Sequence, residues 1–138
     1  MIDYSKFQKS LNHLQLQFEN YQKIDKRVHL EELDKEAIGE SVIHRFETCY
    51  DCLWKVLKKY LVMEKGIVDI PNSPKPIFRI AGENKLFISS VEKWIEYANA
   101  RISTAHDYSE NKFSESLLLM GDFISDAMAL LNALTGRI

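Results

Sequence analysis

The 138-residue chain is poor in the residues that break helices, with five glycines and three prolines. An all-β chain of this length needs many short turns built from those residues, so that class is excluded. There are only two cysteines, too few for a small secreted scaffold held by disulfides. The composition therefore favours a helical protein, and the cysteine content favours a cytoplasmic, reducing location.

Neither sign of charge dominates, since 18 Lys and Arg stand against 20 Asp and Glu. Binding of nucleic acid through overall charge is not expected, although the charge balance is compatible with a local basic pocket. Apolar runs such as Leu117–Met120 are far shorter than the roughly 20 residues that span a bilayer. The first residues also lack the pattern of a secretory signal. We predict no membrane association.

Several motifs that would identify an enzyme are missing from the sequence. There is no glycine-rich phosphate loop, no G-x-S-x-G elbow and no H-E-x-x-H pair. Cys49 and Cys52 are spaced like half of a zinc site or a redox pair, but no second pair completes the first and no βαβ pattern supports the second. We expect packed thiols, no metal and no cofactor.

Apolar residues recur every three or four positions over four long segments, which predicts amphipathic helices. Ser89-Ser90-Val91-Glu92 is typical of a capping box, with Ser89 as N-cap. The fold class that we predict is all-α: one domain over residues 1–138, forming an antiparallel up-down four-helix bundle with one short extra helix. The predicted helices run from about Tyr4 to Arg27, Asp34 to Lys65, Ser73 to Asn84, Ser89 to His106 and Glu110 to Leu134.

The helix that ends near His106 carries two neighbouring stripes of side chains. The bulky aromatic residues of the second stripe, next to an arginine, are typical of an interface. The same pattern also fits aromatic residues that extend the core while Arg101 reaches water. The stripe assigned to the core is Val91, Ile95, Ala98, Ile102 and Ala105, and the second is Trp94, Tyr97, Arg101, Thr104 and Tyr108.

Arg101 and His106 form a candidate catalytic pair. Histidine exchanges protons near neutral pH, and arginine clamps a phosphate, so the two could support metal-free cleavage of RNA by a neighbouring 2′-hydroxyl. Five residues separate their directions by roughly 140° on an ideal helix. One shared pocket therefore requires an unwound helix end or a second subunit.

The second helix carries a polar stripe that includes Glu47 and Asp51. One interpretation is a solvated face of ion pairs along the helix. The other is that Glu47 orients Arg101 or His106 across the bundle.

Two segments carry a resemblance to a known family. Residues Arg101–Tyr108 resemble the Arg, four residues, His, one residue, Tyr signature of the HEPN superfamily. Residues Arg45–Leu61 are similar to the Arg-Phe-Glu…Trp-Lys-x-Leu-Lys-x-Tyr-Leu pattern of one branch, the nucleotidyltransferase substrate-binding subunits encoded beside minimal nucleotidyltransferases. The likeness covers nearly the whole chain. Ile102 departs from it, because many members have a polar residue there.

The resemblance implies a homodimer in which Arg101 and His106 of both subunits line a cleft. Glu47 and Asp107 are candidate supporting residues beside them. It implies a toxin that cleaves RNA without metal, neutralised when a partner nucleotidyltransferase transfers AMP to Tyr108. The alternative is a non-catalytic substrate-binding subunit of a two-component nucleotidyltransferase. The two hypotheses differ in whether His106 is chemically required.

Overall fold

The computed structural model describes residues 1–24, 32–106 and 110–136, with residues 106 and 110–112 as backbone only. No strand occurs within these ranges, which confirms the all-α prediction. The helices begin and end within a few residues of the predicted bounds. They are α1 Ser5–Gln22, α2 Glu32–Met63, α3 Pro74–Glu83, α4 Val91–His106 and α5 Glu110–Thr135.

Contacts between the four long helices show that each runs antiparallel to the next. Early residues of one helix meet late residues of its neighbour, and α5 returns to lie antiparallel beside α1. This is the up-down four-helix bundle that the sequence predicts. The contacts that fix the directions are Ser10 with Cys49, Tyr21 with Gly39, Glu47 with Thr104, Asp51 with Arg101, Lys93 with Asp122, Ser89 with Asp126, Tyr4 with Leu134 and Phe18 with Gly121.

The short helix α3 packs against α2 and α4. Its Phe78 ring lies 5.9 Å from the ring of Tyr50 on α2 and 5.3 Å from that of Trp94 on α4. At Gly82 a β-carbon would stand only 2.1 Å from the Cγ2 atom of Val91, so a side chain there would push α3 away from the start of α4. The extra helix is therefore part of the core.

Both stripes of α4 contribute to the core. Trp94 and Tyr97 are 1% and 0% exposed, which confirms the interpretation in which these rings extend the core and not the one in which they form an interface. In the other stripe Ala98 is 2% exposed, as predicted, but Ile102 is 52% exposed, so its assignment to the core was wrong. The large aromatic rings gain more from burial than the aliphatic side chain of Ile102. Tyr97 meets Phe123 of α5 edge to face at 5.2 Å.

The N-cap of α4 lies one residue later than the predicted Ser89, and the residue at N3 is then Lys93, so the predicted capping box does not form. The backbone N–H of Lys93 donates to the Ser90 hydroxyl at 3.3 Å, so Ser90 is the capping residue. The Ser89 hydroxyl instead donates to Asp126 of α5 at 2.6 Å. A tertiary bond has thus taken the side chain that the local pattern assigned to the helix end.

Helix α5 contains a segment, Phe113–Thr135, that by length and composition alone could cross a membrane. Half of its most apolar window is buried inside the bundle. Met120, Phe123 and Ala127 have no exposed surface at all. The apolar character of α5 is accounted for by its place in the core of the bundle.

Candidate functional site

Arg101 of α4 reaches across to two carboxylates on α2. Its Nε and Nη2 atoms donate to the two oxygens of Asp51 at 3.4 and 3.2 Å. Its Nη1 atom donates to Oε2 of Glu47 at 3.2 Å. The planar guanidinium matches the geometry of a carboxylate, and its two hydrogen bonds to Asp51 fix its orientation. Three of its five N–H groups are thereby engaged.

Thr104 holds Glu47 from the other side. Its hydroxyl lies 2.8 Å from Oε2 of Glu47 and 3.0 Å from the backbone oxygen of Arg101, one turn earlier. Because the carboxylate is charged, it is the stronger acceptor for the single hydroxyl hydrogen. Thr104 is buried and Glu47 is partly buried, so the carboxylate has little freedom to turn away.

The cluster of Arg101, Glu47, Asp51 and Thr104, called here the Arg101 cluster, carries one positive and two negative charges. Burial by itself lowers the pKa of Arg101, but the hydrogen bond and charge of Asp51 and the charge of Glu47 raise it by more. The side chains of Arg101 and Asp51 are 27% and 41% exposed. The cluster therefore presents a fixed, net negative surface to solvent.

The structure brings together some of the predicted site residues. Glu47 and Arg101 are in direct contact, as the cross-bundle interpretation of the α2 polar stripe predicts. His106 is the last residue of α4. Asp107 and Tyr108 lie outside the described residues, so their roles stay predictions, and so do the catalytic roles of Arg101 and His106.

The role of Asp51 in this cluster was not foreseen. It lies four residues after Glu47 on α2, and residues so spaced face the same neighbour. That spacing is the signal that could have identified it. The sequence cannot show, however, that α4 brings an arginine to this face, because the pairing depends on the tertiary packing of two helices.

A second polar cluster, which the sequence analysis missed, lies between α4 and α5. Oη of Tyr97 donates to Oδ2 of Asp126 at 2.5 Å, and Oγ of Ser89 donates to Oδ1 at 2.6 Å. Asp126 is 5% exposed. Burial, followed by the bond to Asp126 and its charge, raises the pKa of Tyr97. Both carboxylate oxygens accept a hydrogen bond. The three residues Ser89, Tyr97 and Asp126, called here the Asp126 cluster, therefore hold α4 and α5 together.

Metal ligands do not converge anywhere in the described part of the chain, where no three His, Cys, Asp or Glu side chains form a group. Cys49 is buried and Cys52 is partly buried, and both are free thiols. The prediction of packed thiols is confirmed.

Comparison with known proteins adds to this picture. Residues 2–136 match the family described as "Nucleotidyltransferase substrate binding protein like". A Haemophilus influenzae structure, described as the fold of a substrate-binding domain of a nucleotidyltransferase, has a TM-score of 0.86 at 21% identity and covers 96% of this chain and 99% of its own. A Thermus thermophilus structure has a TM-score of 0.76 at 22% identity, covering 93% and 98%. No curated protein gives a significant match.

At these identities the solved structures establish the fold alone. The family match shows the family as well as the fold, because it spans nearly every residue of the chain. It confirms, at the level of the family, the resemblance carried by Arg45–Leu61 and Arg101–Tyr108. The chain belongs to the family of nucleotidyltransferase substrate-binding proteins, within the HEPN-like helical fold.

Proposed function

We propose that this chain is the substrate-binding subunit of a two-component nucleotidyltransferase and works with a catalytic partner on a separate polypeptide. Membership of the family supports this class of function and the kind of partner. The sequence carries no glycine-rich phosphate loop, so the proposal assigns the nucleotidyl transfer itself to the partner.

The observation that carries the proposal is the engagement of Arg101 by Glu47 and Asp51. A ribonuclease built on the Arg–His signature needs its guanidinium free to hold the scissile phosphate. Here the guanidinium already has two carboxylate partners, and the negative charge of the cluster opposes a phosphate. Cleavage would first require Arg101 to exchange these partners for the phosphate, whereas a binding subunit requires no such step.

The same geometry suits a binding role. Glu47 and Asp51 are held in place by Arg101 and Thr104, yet both keep part of their surface in contact with solvent. Fixed carboxylate oxygens at a surface can accept hydrogen bonds from a substrate or a partner chain without the loss of side-chain entropy that a free carboxylate incurs. Arg101 then acts as a positioning residue for those oxygens.

The second candidate function is the HEPN toxin, an endoribonuclease acting as a homodimer and neutralised by AMP on Tyr108. The presence of Arg101 and His106 in the last turns of one helix favours it, because the signature requires both on α4. It differs from the first candidate in requiring His106 for chemistry and a twofold mate that completes the cleft.

The experiment is expression of the chain with and without the nucleotidyltransferase that the resemblance expects beside it. We expect a stable complex of the two proteins, no growth arrest by this chain alone, and intact RNA after incubation with the purified chain. The variant His106→Ala should behave like wild type. Growth arrest and RNA cleavage that His106→Ala abolishes would establish the toxin instead.

A further inference from the structure

A concave groove lies between α1 and α2, on the side of α2 that faces α1 and away from α4. Its volume is about 420 Å³, within the range of roughly 300–1000 Å³ typical of small-molecule sites. Lys6, Lys9 and His13 line it from α1, while His44 and Arg45 line it from α2. None of the described residues that line the groove is acidic. The groove is therefore a local concentration of positive charge in a chain whose net charge is −2.

Arg45 is the most informative of these residues. It is partly buried, yet within the described residues it has no hydrogen bond and no carboxylate partner. A guanidinium removed from water without an anion is costly, and such groups are ordinarily paired. Arg101 of α4, which is also partly buried and packs against another face of α2, donates three hydrogen bonds to carboxylates. Within the described part of the chain, Arg45 is therefore a guanidinium available to an external anion.

The cations of α1 extend this charge along the groove. Lys6, Lys9 and His13 are spaced by three and four residues, so they share one face of α1 over roughly 10 Å. Asp3 lies near Lys6, and its pKa is lowered chiefly by hydrogen bonds from Ser5 and to a smaller degree by the charge of Lys6. Asp3 accepts the N–H of Ser5 at 2.9 Å and does not line the groove.

We propose that this groove binds the phosphate groups of a small, multiply phosphorylated ligand. A guanidinium at one wall and two ammonium groups at the other can neutralise several phosphate oxygens together. The hydroxyls of Ser10 and Thr48 donate to backbone oxygens, so recognition depends on the cations. Among the described residues the groove has no Phe, Tyr or Trp lining, and its rings are the imidazoles of His13 and His44. The proposal stands independently of the proposed function.

The test uses inorganic pyrophosphate as the probe and the full chain, with backbone amide shifts followed by NMR during a titration. We expect saturable shifts at Lys9, Ser10 and Thr48. The variant Arg45→Met should weaken binding by about tenfold or more, as the loss of a charge-assisted bond implies. Arg79→Met removes the same charge from an exposed site on α3 and should leave the affinity within about twofold.

A variant that keeps α2 intact guards against a folding defect in Arg45→Met. Lys6 and Lys9 are both exposed, so the double variant Lys6→Met/Lys9→Met should fold normally and still weaken pyrophosphate binding by about tenfold. Shifts that do not saturate, shifts centred away from the groove, or equal losses in the groove variants and Arg79→Met would each overturn the proposal.

A single-stranded oligouridylate of twelve nucleotides distinguishes a small ligand from RNA. We expect it to bind no more than about tenfold more tightly than pyrophosphate, with the same dependence on Arg45. Binding through this groove that is tighter by a hundredfold or more, with the steep salt dependence of many phosphate contacts, would make the groove an RNA surface and overturn the proposal.

Discussion

Helix α4 carries two polar clusters that differ in burial, balance of charge and openness. The Asp126 cluster faces α5 inside the bundle, where Asp126 is 5% exposed and each of its oxygens has one donor. The Arg101 cluster faces α2 at the surface, where Asp51 is 41% exposed and two carboxylates share one cation. The first is closed, and the second keeps acceptor capacity toward solvent. One helix thus separates a structural role from a candidate functional one.

The physical reason for this division is the cost of an unmade bond. A buried carboxylate that loses a donor has no water to replace it, so the whole network is needed for folding. A carboxylate at the surface can exchange a protein donor for water or for a ligand at small cost. We therefore expect mutations in the two clusters to separate stability from function.

The largest effect is expected from Asp126→Ala. This change leaves the buried hydroxyl of Tyr97 and the partly buried hydroxyl of Ser89 without their acceptor, which should lower the free energy of unfolding by about 3 kcal/mol. Urea denaturation checks it. Asp122→Ala, on the same helix, removes an exposed partner of Lys93 and should cost less than about 1 kcal/mol. Equal losses in the two variants would show that the Asp126 cluster is not a structural lock.

The next effect concerns alkaline pH. Burial raises the pKa of the Cys49 thiol from 9.0 to about 12. The thiol ionises more readily in the unfolded chain. Its contribution to the free energy of unfolding is therefore complete below about pH 9 and is lost as pH rises toward 12. Each group of this kind lowers the free energy of unfolding by up to about 1.4 kcal/mol per pH unit. The raised pKa of Tyr97 acts in the same direction above its ordinary value of 10.0.

Denaturation between pH 7.5 and 10.5 in the presence of a reductant measures this loss. The stability of Cys49→Ala should fall less steeply with pH than that of the wild type, whatever its value at pH 7.5. Parallel curves for the two proteins would contradict the assignment of the alkaline loss to this thiol.

A smaller effect on stability is expected from Thr104→Val in the Arg101 cluster. The substitution keeps the volume but removes the bond to Glu47, at a cost of about 1 kcal/mol. Binding to the partner nucleotidyltransferase or its substrate should weaken as well, because Glu47 regains rotational freedom. A calorimetric titration that shows unchanged affinity would place Glu47 outside the functional surface.

The smallest effect on stability, below about 1 kcal/mol, is expected from Arg101→Met, because the ion pairs are partly open to solvent. The same variant should lose function while its denaturation curve stays close to that of the wild type. A loss of stability as large as that of Asp126→Ala would remove the distinction between the clusters.

Much of the fold could be predicted from the sequence. The spacing of apolar residues gives the helices, and α2 ends at Met63, two residues before its predicted bound, with Gly66 at φ 65° shortly after it. Local patterns failed where tertiary contacts compete for a side chain. Ser89 looked like a cap but bonds to Asp126, and Ile102 matched a core stripe but lies outside. Such choices depend on neighbours from distant segments.

Only part of the candidate site could be predicted from the sequence, namely Arg101 and, as one of two interpretations, Glu47. Arg101 was singled out by its neighbours on α4 and by the resemblance, and Glu47 as its partner was one of two interpretations. Asp51 and the Asp126 cluster were not predicted, because carboxylates on a helix are most often solvated. Nothing in one sequence states which carboxylate a neighbouring helix will cover.

We propose that this chain serves a partner nucleotidyltransferase, which itself carries out the transfer. The most direct measurement incubates that partner with ATP labelled at the α-phosphate and a metabolite extract, and follows the label with wild type, Arg101→Met or no added chain. We predict that the wild-type chain accelerates labelling of a small molecule by about tenfold or more, and that Arg101→Met reduces this to the rate without the chain. Label on Tyr108 of the chain itself, together with RNA cleavage lost in His106→Ala, would contradict the account.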